Sequence, residues 1–225
     1  MAKLFLLRHL KSQWNEEENR FTGWVDIPLA EGQEESAKVL AQKIFQNKID
    51  AIYCSRLFRN IDTAARIFEH DNKYPIFIHL DLGKMKKWGH FKDISENDLP
   101  VFVSEKLNER YYGDLQGLNK EEMIKKYGEE KVRQWRRSYD MAPPGGESLK
   151  DVVKRVVPFY KKYIEKDLKT GKNILIVASH NSLRALVKHI EKISDNDIIN
   201  FEIHFGGLIE YDLGKSLEVK NKCNL

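Results

Sequence analysis

The sequence has little of what defines several specialised protein classes. It contains only two cysteines in 225 residues, Cys54 and Cys223, which is too few for a disulfide framework and shows no metal-ligand spacing. No apolar run approaches the roughly 20 residues of a membrane span, which argues against a spanning helix. The N-terminus has neither the apolar core nor the cleavage site of a signal peptide. We therefore expect a cytoplasmic protein with no membrane partner.

Several nucleotide, metal and nucleic-acid signatures are also missing. The chain has no Walker loop, no Gly-rich dinucleotide turn and no cluster of metal ligands, so we expect no metal cofactor. Basic and acidic residues are interleaved, with a net charge of only +4, so no basic stripe for nucleic acid is present. Hydrophobic residues at 41% and charged residues at 32% indicate a globular protein. No domain boundary is evident, and we expect a single domain over residues 1–225.

Short apolar runs alternate with segments of helical period, which predicts an α/β fold. The order favours a central, mostly parallel sheet with helices on both faces, a three-layer sandwich. The predicted strands cover residues 3–7, 50–55, 75–80, 172–178 and 208–213. The predicted helices cover residues 31–47, 56–68, 121–127, 129–137, 148 to about 164, and 183–192.

Three local features refine this prediction. Ser148 and Asp151 have the spacing of a capping box at the start of the long helix. Pro158 falls inside that helix and is expected to kink it. Residues 81–104 show no clear period, so we expect an irregular excursion there, which in a compact domain is usually a functional insertion or a lid.

Two of the predicted strands end in a histidine. The first ends in Arg8-His9 and the strongest in Ser179-His180. The carboxyl ends of strands in open α/β sheets are where ligands bind. A neutral imidazole can attack phosphorus while guanidinium groups hold the phosphoryl oxygens, so the arrangement suits phosphoryl transfer. For an isolated Arg-His pair, the alternative is a solvated strand end.

A series of motifs, in order along nearly the whole chain, makes the interpretation of the sequence more specific. It resembles the 2,3-bisphosphoglycerate-dependent phosphoglycerate mutases of the histidine phosphatase superfamily. The segment from about 71 to 105 is not covered by this resemblance. The matching pieces are Arg8-His9, Ser12-Gln-Trp-Asn15, Phe21-Thr-Gly-Trp-Val-Asp26, Ser55-Arg-Leu-Phe-Arg59, Leu107-Asn-Glu-Arg-Tyr-Tyr-Gly113, Leu115-Gln-Gly-Leu-Asn-Lys120, Trp135-Arg-Arg-Ser-Tyr139, Gly145-Gly-Glu-Ser148 and Asn181-Ser-Leu-Arg-Ala-Leu-Val187.

The resemblance implies a role for each matching side chain. His9 would be the nucleophile that becomes phosphohistidine, Glu109 the general acid and base, and His180 a donor to the phosphoryl oxygens. Arg8 and Arg59 would hold the transferring phosphoryl group. The residues expected to contact the substrate are Asn15, Thr22, Gly23, Tyr112, Lys120, Arg136, Arg137 and Asn181.

The resemblance also implies a reaction and its partners. We expect an isomerase of glycolysis and gluconeogenesis that interconverts 3-phosphoglycerate and 2-phosphoglycerate. It would be primed by 2,3-bisphosphoglycerate, would take a small anionic phosphorylated substrate, and would form a homodimer or homotetramer.

Three departures from the family sequence lie close to this chemistry. Leu10 replaces a glycine that follows Arg-His, and its bulk is expected to narrow or shift the pocket. Ser179-His180 replaces His-Gly, so either His180 or Ser179 takes the second histidine's place. Phe205-Gly206-Gly207-Leu208 replaces Thr-Gly-Val-Pro near the rim. The alternative function is a diverged member with weak phosphatase activity or phospho-ligand binding alone.

Overall fold

The fold is organised around a seven-stranded sheet in the order β3-β4-β2-β5-β1-β6-β7. A computed structural model describes residues 2–16, 18–81, 83–88 and 95–225. The first five strands in that order are parallel, β6 pairs antiparallel with β1, and β7 pairs antiparallel with β6. This confirms the predicted α/β sandwich. The strands are β1 Ala2–Arg8, β2 Ala51–Ser55, β3 Tyr74–His79, β4 Asp98–Ser104, β5 Ile174–Ala178, β6 Leu208–Leu213 and β7 Val219–Asn224.

Helices cover both faces of the sheet. One apolar core lies between the sheet and α2 and α3, and the other lies between the sheet and α7, α8 and α9. The α-helices are α1 Gln13–Glu16, α2 Glu34–Ile44, α3 Phe58–Phe68, α4 Lys84–Trp88, α5 Lys120–Tyr127, α6 Glu129–Arg137, α7 Leu149–Phe159, α8 Glu165–Lys169 and α9 His180–Glu191. Among the helices within the described ranges, none has the length and apolar character needed to cross a membrane.

The strand β1 shows how the sequence divides between the two cores. Leu4 and Leu6 belong to the core on the α7–α9 side, and Phe5 and Leu7 belong to the core on the α2–α3 side. Successive side chains of a strand point to opposite faces, so a continuous apolar run supplies both cores at once. This burial fixes the position of the residues that follow Leu7.

The predicted excursion at 81–104 is only partly correct. Residues 98–104 form β4, which pairs with β2 and β3 inside the parallel sheet. Leu99, Val101 and Val103 are buried on alternate positions, but Pro100 interrupts the pattern, because proline is rare inside a sheet. Residues 84–88 form the short helix α4. Residues 82 and 89–94 of the excursion lie outside the described residues.

The polar tail contains a strand that the sequence did not predict. β7 pairs antiparallel with β6 at the edge of the sheet, and most of its side chains are exposed. An edge strand needs backbone partners but no apolar face, so it carries no alternating pattern.

The long helix begins as predicted. The Ser148 hydroxyl accepts from the Asp151 N–H at 3.2 Å, and the Ser148 N–H donates to the Asp151 carboxylate at 3.2 Å. Beyond Pro158, where a kink is predicted, a π-helical segment covers Tyr160–Ile164, which follows α7 and continues into α8. The proline therefore changes the hydrogen bonding without ending the helical path.

Replacing Ser148 by alanine should destabilise the fold through loss of the capping box. We expect the free energy of unfolding to fall by about 1 kcal/mol, measured by urea denaturation. Ser36→Ala serves as a control, because Ser36 is exposed within α2 and caps no N-terminus. Equal stability of Ser148→Ala and wild type would contradict the assignment.

Candidate active site

The candidate site is a cavity of about 330 Å³ at the carboxyl ends of the central strands. Strands β1 and β5 are adjacent and parallel, with Arg8 opposite Ala178. Their tips therefore deliver His9 and His180 to the same edge. The segment 201–207 enters at this edge too, because β6 runs antiparallel to β1 with Leu208 opposite Leu7.

The structure brings all of the predicted site residues to this cavity. They come from five separate parts of the chain and share polar or glycine character. The predicted residues that line the cavity are Arg8, His9, Asn15, Thr22, Gly23, Arg59, Glu109, Tyr112, Lys120, Arg136, Arg137, His180 and Asn181.

His9 is held in one orientation and one tautomer. Its side chain is buried, and Nδ1 lies 2.6 Å from the carbonyl oxygen of Leu10. A carbonyl only accepts, so Nδ1 donates and Nε2 keeps its lone pair. Burial, together with the charges of Arg59 and Arg8, holds the pKa of His9 well below its ordinary value. The imidazole is therefore neutral and suited to act as a nucleophile.

Leu10 does not narrow the cavity, which corrects the expectation from the sequence. Its side chain is buried in the core beneath α2, together with Leu29 and Leu40, and is not part of the cavity lining. Its Cδ2 atom lies 3.2 Å from the point where Gly206 would carry a Cβ, and Gly206 has a φ of +67°. Gly206 therefore provides the space that Leu10 occupies.

His180 is the residue of the Ser179-His180 pair that reaches the cavity. It is the first residue of α9, and Nε2 is buried without a hydrogen-bond partner in the described part of the chain. The Ser179 hydroxyl instead accepts from the Asn60 amide at 3.1 Å and is buried. Burial, followed by the charges of several arginines, of which Arg8 contributes most, lowers the pKa of His180 well below its ordinary value.

Two arginines near His9, the buried Arg59 and the half-buried Arg8, are oriented by carbonyl groups. Arg59, from the start of α3, donates to the carbonyls of Gly23 at 2.7 Å and Val25 at 3.1 Å. Arg8 donates to the carbonyl of Ile203 at 2.6 Å. Burial lowers the pKa of each to about 10, so both remain charged at neutral pH. Guanidinium groups oriented in this way are well placed to hold phosphoryl oxygens.

Glu109 is positioned by α9. Its Oε1 atom accepts from the Asn181 side chain at 2.7 Å, from the Asn181 N–H at 3.3 Å and from the Arg110 N–H at 2.6 Å. The side-chain oxygen Oδ1 of Asn181 in turn accepts from the Arg184 guanidinium at 3.0 Å. Asn181 was expected to bind substrate, but these hydrogen bonds show that it also orients Glu109.

Three further cations, Lys120, Arg136 and Arg137, line the same cavity. Burial and the charges of Arg136 and Arg8 lower the pKa of Lys120 to about 8. Burial and the charge of Arg136 also lower the pKa of Arg137. Cations that depress one another's pKa values favour a bound anion, whose charge would reverse the effect.

Asn15 of α1 and Gly23 of the following loop are further predicted contacts that line the cavity. The side-chain oxygen Oδ1 of Asn15 accepts from the Ser12 hydroxyl at 2.7 Å, which leaves the side-chain NH₂ group able to donate. Gly23 has a φ of +49°, and a Cβ there would lie 2.5 Å from Gln116 Oε1. Glycine is therefore required for the backbone to approach Gln116, which accepts from the Trp24 N–H at 2.7 Å.

Sequence reasoning missed several residues that line the cavity. Phe205 places its ring 3.7 Å from the Arg8 guanidinium carbon and 5.7 Å from the His9 ring centre. Its place among the departures at the rim was the only signal that pointed to it. Glu202, on the same segment, pairs with Arg137. The other additional lining residues are Asn19, Arg20 and Phe21.

The arrangement suits a small ligand with several anionic oxygens. Six cationic side chains line the cavity against two carboxylates. Three of the lining residues also keep buried polar atoms without partners among the described residues, namely Arg8 Nε, Thr22 Oγ1 and His180 Nε2. Buried polar atoms normally have hydrogen-bond partners, so these atoms indicate where ligand oxygens bind.

Comparison with known proteins identifies relatives of the chain. The family model of the histidine phosphatase superfamily, branch 1, matches residues 4–96 and 90–224. The 2,3-bisphosphoglycerate-dependent phosphoglycerate mutase of Methanococcus vannielii is 44% identical over 216 residues, which cover 95% of this chain and 91% of that protein. The protein of the same name from Chlamydia caviae is 44% identical over 213 residues, covering 94% and 93%.

Solved structures show the same fold at lower sequence identity. A mycobacterial glucosyl-3-phosphoglycerate phosphatase gives a TM-score of 0.74 at 22% identity, covering 100% of this chain and 98% of its own. The alpha-ribazole phosphatase of Shigella flexneri gives 0.75 at 21% identity, covering 100% and 96%. At this identity the likeness concerns the fold alone.

The lowered pKa values of His9 and His180 predict a dependence of stability on pH. The unfolded chain takes up protons on these rings below about pH 6.5, whereas the folded chain does not. The contribution of these neutral rings to the free energy of unfolding should therefore be fully present above about pH 6.5. At lower pH the free energy of unfolding should decrease by up to roughly 1.4 kcal/mol per pH unit for each ring. Urea denaturation at about pH 7 and about pH 5.5 measures this slope.

In the variant His9→Asn, the free energy of unfolding should depend less steeply on pH, because the contribution of the His9 ring is absent. His70→Asn is the matched control, because His70 is exposed on the surface. A slope in His9→Asn equal to that of wild type would contradict the lowered pKa of His9.

Proposed function

The chain belongs to the histidine phosphatase superfamily, and from its relatives and its site we propose that it is a 2,3-bisphosphoglycerate-dependent phosphoglycerate mutase. As such it is an isomerase that interconverts 3-phosphoglycerate and 2-phosphoglycerate. The observation that carries the proposal is the convergence of the reactive and the distal residues in one cavity. His9 supplies a nucleophile, and Lys120, Arg136 and Arg137, the distal cations of this proposal, supply positive charge in the same cavity.

The cavity matches a ligand with two anionic ends. Around His9, the guanidinium groups of Arg8 and Arg59 and the Asn15 amide bind the phosphoryl group. Lys120, Arg136 and Arg137 bind the carboxylate and the second phosphate, together with Tyr112 and the loop at Thr22 and Gly23. A phosphatase for simple esters has no comparable use for the distal cations, so they favour the mutase.

The first chemical step forms the phosphoenzyme. 2,3-Bisphosphoglycerate supplies the first phosphoryl group, and the lone pair of His9 Nε2 attacks its phosphorus atom. The P–N bond forms as the ester P–O bond breaks, and protonated Glu109 gives its proton to the leaving alkoxide oxygen. Arg8, Arg59 and His180 stabilise the charge on the phosphoryl oxygens as they pass through the transition state.

The second step transfers the phosphoryl group to the substrate. The free hydroxyl of a bound phosphoglycerate attacks phosphorus, and the Glu109 carboxylate accepts its proton while the P–N bond breaks. The product of this transfer is a bisphosphoglycerate that keeps two anionic ends. Returning its other phosphoryl group to His9 completes the isomerisation, and the distal cations retain the ligand between the two transfers.

Incubation with 2,3-bisphosphoglycerate should place acid-labile, base-stable phosphate on His9. His9→Asn should give no phosphoenzyme. His180→Gln should slow its formation by about a hundredfold or more, because a donor to the transition state is lost. Labelling with radioactive phosphate and rapid quenching measures these rates.

His204→Gln is the control for this experiment, since His204 is exposed on the neighbouring segment and does not line the cavity. Wild-type protein without phosphohistidine would refute the mutase. Labelling without turnover of 3-phosphoglycerate would instead favour a phosphatase or a binding protein.

The distal cations should decide substrate affinity rather than the chemistry at His9. Arg136→Met should raise the KM for 3-phosphoglycerate by about ten- to a hundredfold, since hydrogen bonds to charged groups contribute about 1.5–3 kcal/mol. The affinity for orthovanadate, a small phosphate analogue, should change much less. Arg133→Met is the control, because Arg133 lies on the same helix and pairs with Glu130 on the surface. An unchanged KM in Arg136→Met would contradict the assignment of the distal end.

A further inference from the structure

Glu202 is a carboxylate in a cavity that is otherwise built for anions. It lies on the segment between the 3₁₀ turn at Asp197–Asn200 and β6, beside buried Ile203. Its side chain lines the cavity and is 41% exposed. No motif of the sequence predicts an acidic residue among these cations.

Glu202 contacts two of the residues that the site offers to a ligand. Its Oε1 atom pairs with the Arg137 guanidinium. Its Oε2 atom lies 3.0 Å from His180 Nε2, although outside hydrogen-bonding geometry, so that Nε2 remains without a partner. One carboxylate thus sits where a ligand oxygen would reach both residues.

The other carboxylate of the cavity, Glu109, differs from Glu202 in its hydrogen bonds. Glu109 is 8% exposed and accepts from two backbone N–H groups and an amide, which fix its position. No such hydrogen bond to Glu202 is found among the described residues, and its side chain is partly in solvent. Glu202 can therefore leave its partners, whereas Glu109 is held.

We propose that Glu202 is a specificity-determining residue, the internal counter-ion of Arg137 and a close neighbour of the neutral His180 ring, and that an anionic ligand competes with it for these two side chains. A ligand must displace the carboxylate or accept its repulsion. The penalty grows with the ligand's charge, so Glu202 lowers the affinity for highly charged anions more than for orthophosphate. This selectivity rests on the proposed function, in which the cavity must release bisphosphorylated and monophosphorylated ligands.

The test compares Glu202→Gln with wild type by isothermal titration calorimetry at low ionic strength. Glu202→Gln should bind orthophosphate about fivefold more tightly, the size expected for a partly exposed charge pair. The gain for 3-phosphoglycerate should be larger, about tenfold, and both gains should shrink at high salt, where charges are screened. A gain in affinity cannot arise from damage to the fold.

The control is Glu130→Gln, which removes the same charge from an arginine pair on the helix that also carries Arg137. It should leave both affinities within about twofold of wild type, as expected for an exposed pair. Equal or weaker binding by Glu202→Gln would overturn the proposal. If wild type binds orthophosphate but not 3-phosphoglycerate, the proposed function fails, and the orthophosphate comparison still decides the role of Glu202.

Discussion

The parallel pairing of β1 with β5 is the constraint on which the site depends. Five residue pairs, from Leu4 with Ile174 to Arg8 with Ala178, hold the two central strands in register. The His9 N–H then donates to the Ala178 carbonyl at 3.2 Å, one residue beyond the last strand pair. A shift by one residue would reverse the faces of every side chain in β1 and bury its apolar residues wrongly. The free energy of core packing therefore also fixes the distance between the two histidines.

Order in the site comes from backbone groups as much as from side chains. Carbonyls of Leu10, Gly23 and Ile203 accept from His9, Arg59 and Arg8, respectively. Each of these bonds orients a reactive group before any ligand arrives. Preorganised donors of this kind stabilise a transition state without the cost of rearranging at the moment of reaction.

Much of this could be predicted from the sequence because the relevant signals are local. The apolar runs of β1 and β5, the capping box at Ser148 and the order of motifs are each contained in short segments. The strand β4 was missed because it contains Pro100, a residue that is rare inside a sheet. The strand β7 was missed because an edge strand needs no apolar face. The fit of Leu10 depends on Gly206, which is distant in sequence, so the sequence alone suggested a narrower pocket. Glu202 and Phe205 were not predicted to line the cavity, since only the antiparallel entry of β6 brings their segment to His9.

The surplus of cations in the cavity couples folding to the solution around the protein. A ligand that binds only the folded state stabilises it by RT ln(1 + [L]/Kd), about 2.7 kcal/mol at one hundred times the Kd. Orthophosphate or sulfate in a buffer would act as such ligands, so the apparent melting temperature depends on the choice of buffer anion. In a cell, the same linkage makes the pool of phosphorylated metabolites a contributor to the lifetime of the folded enzyme.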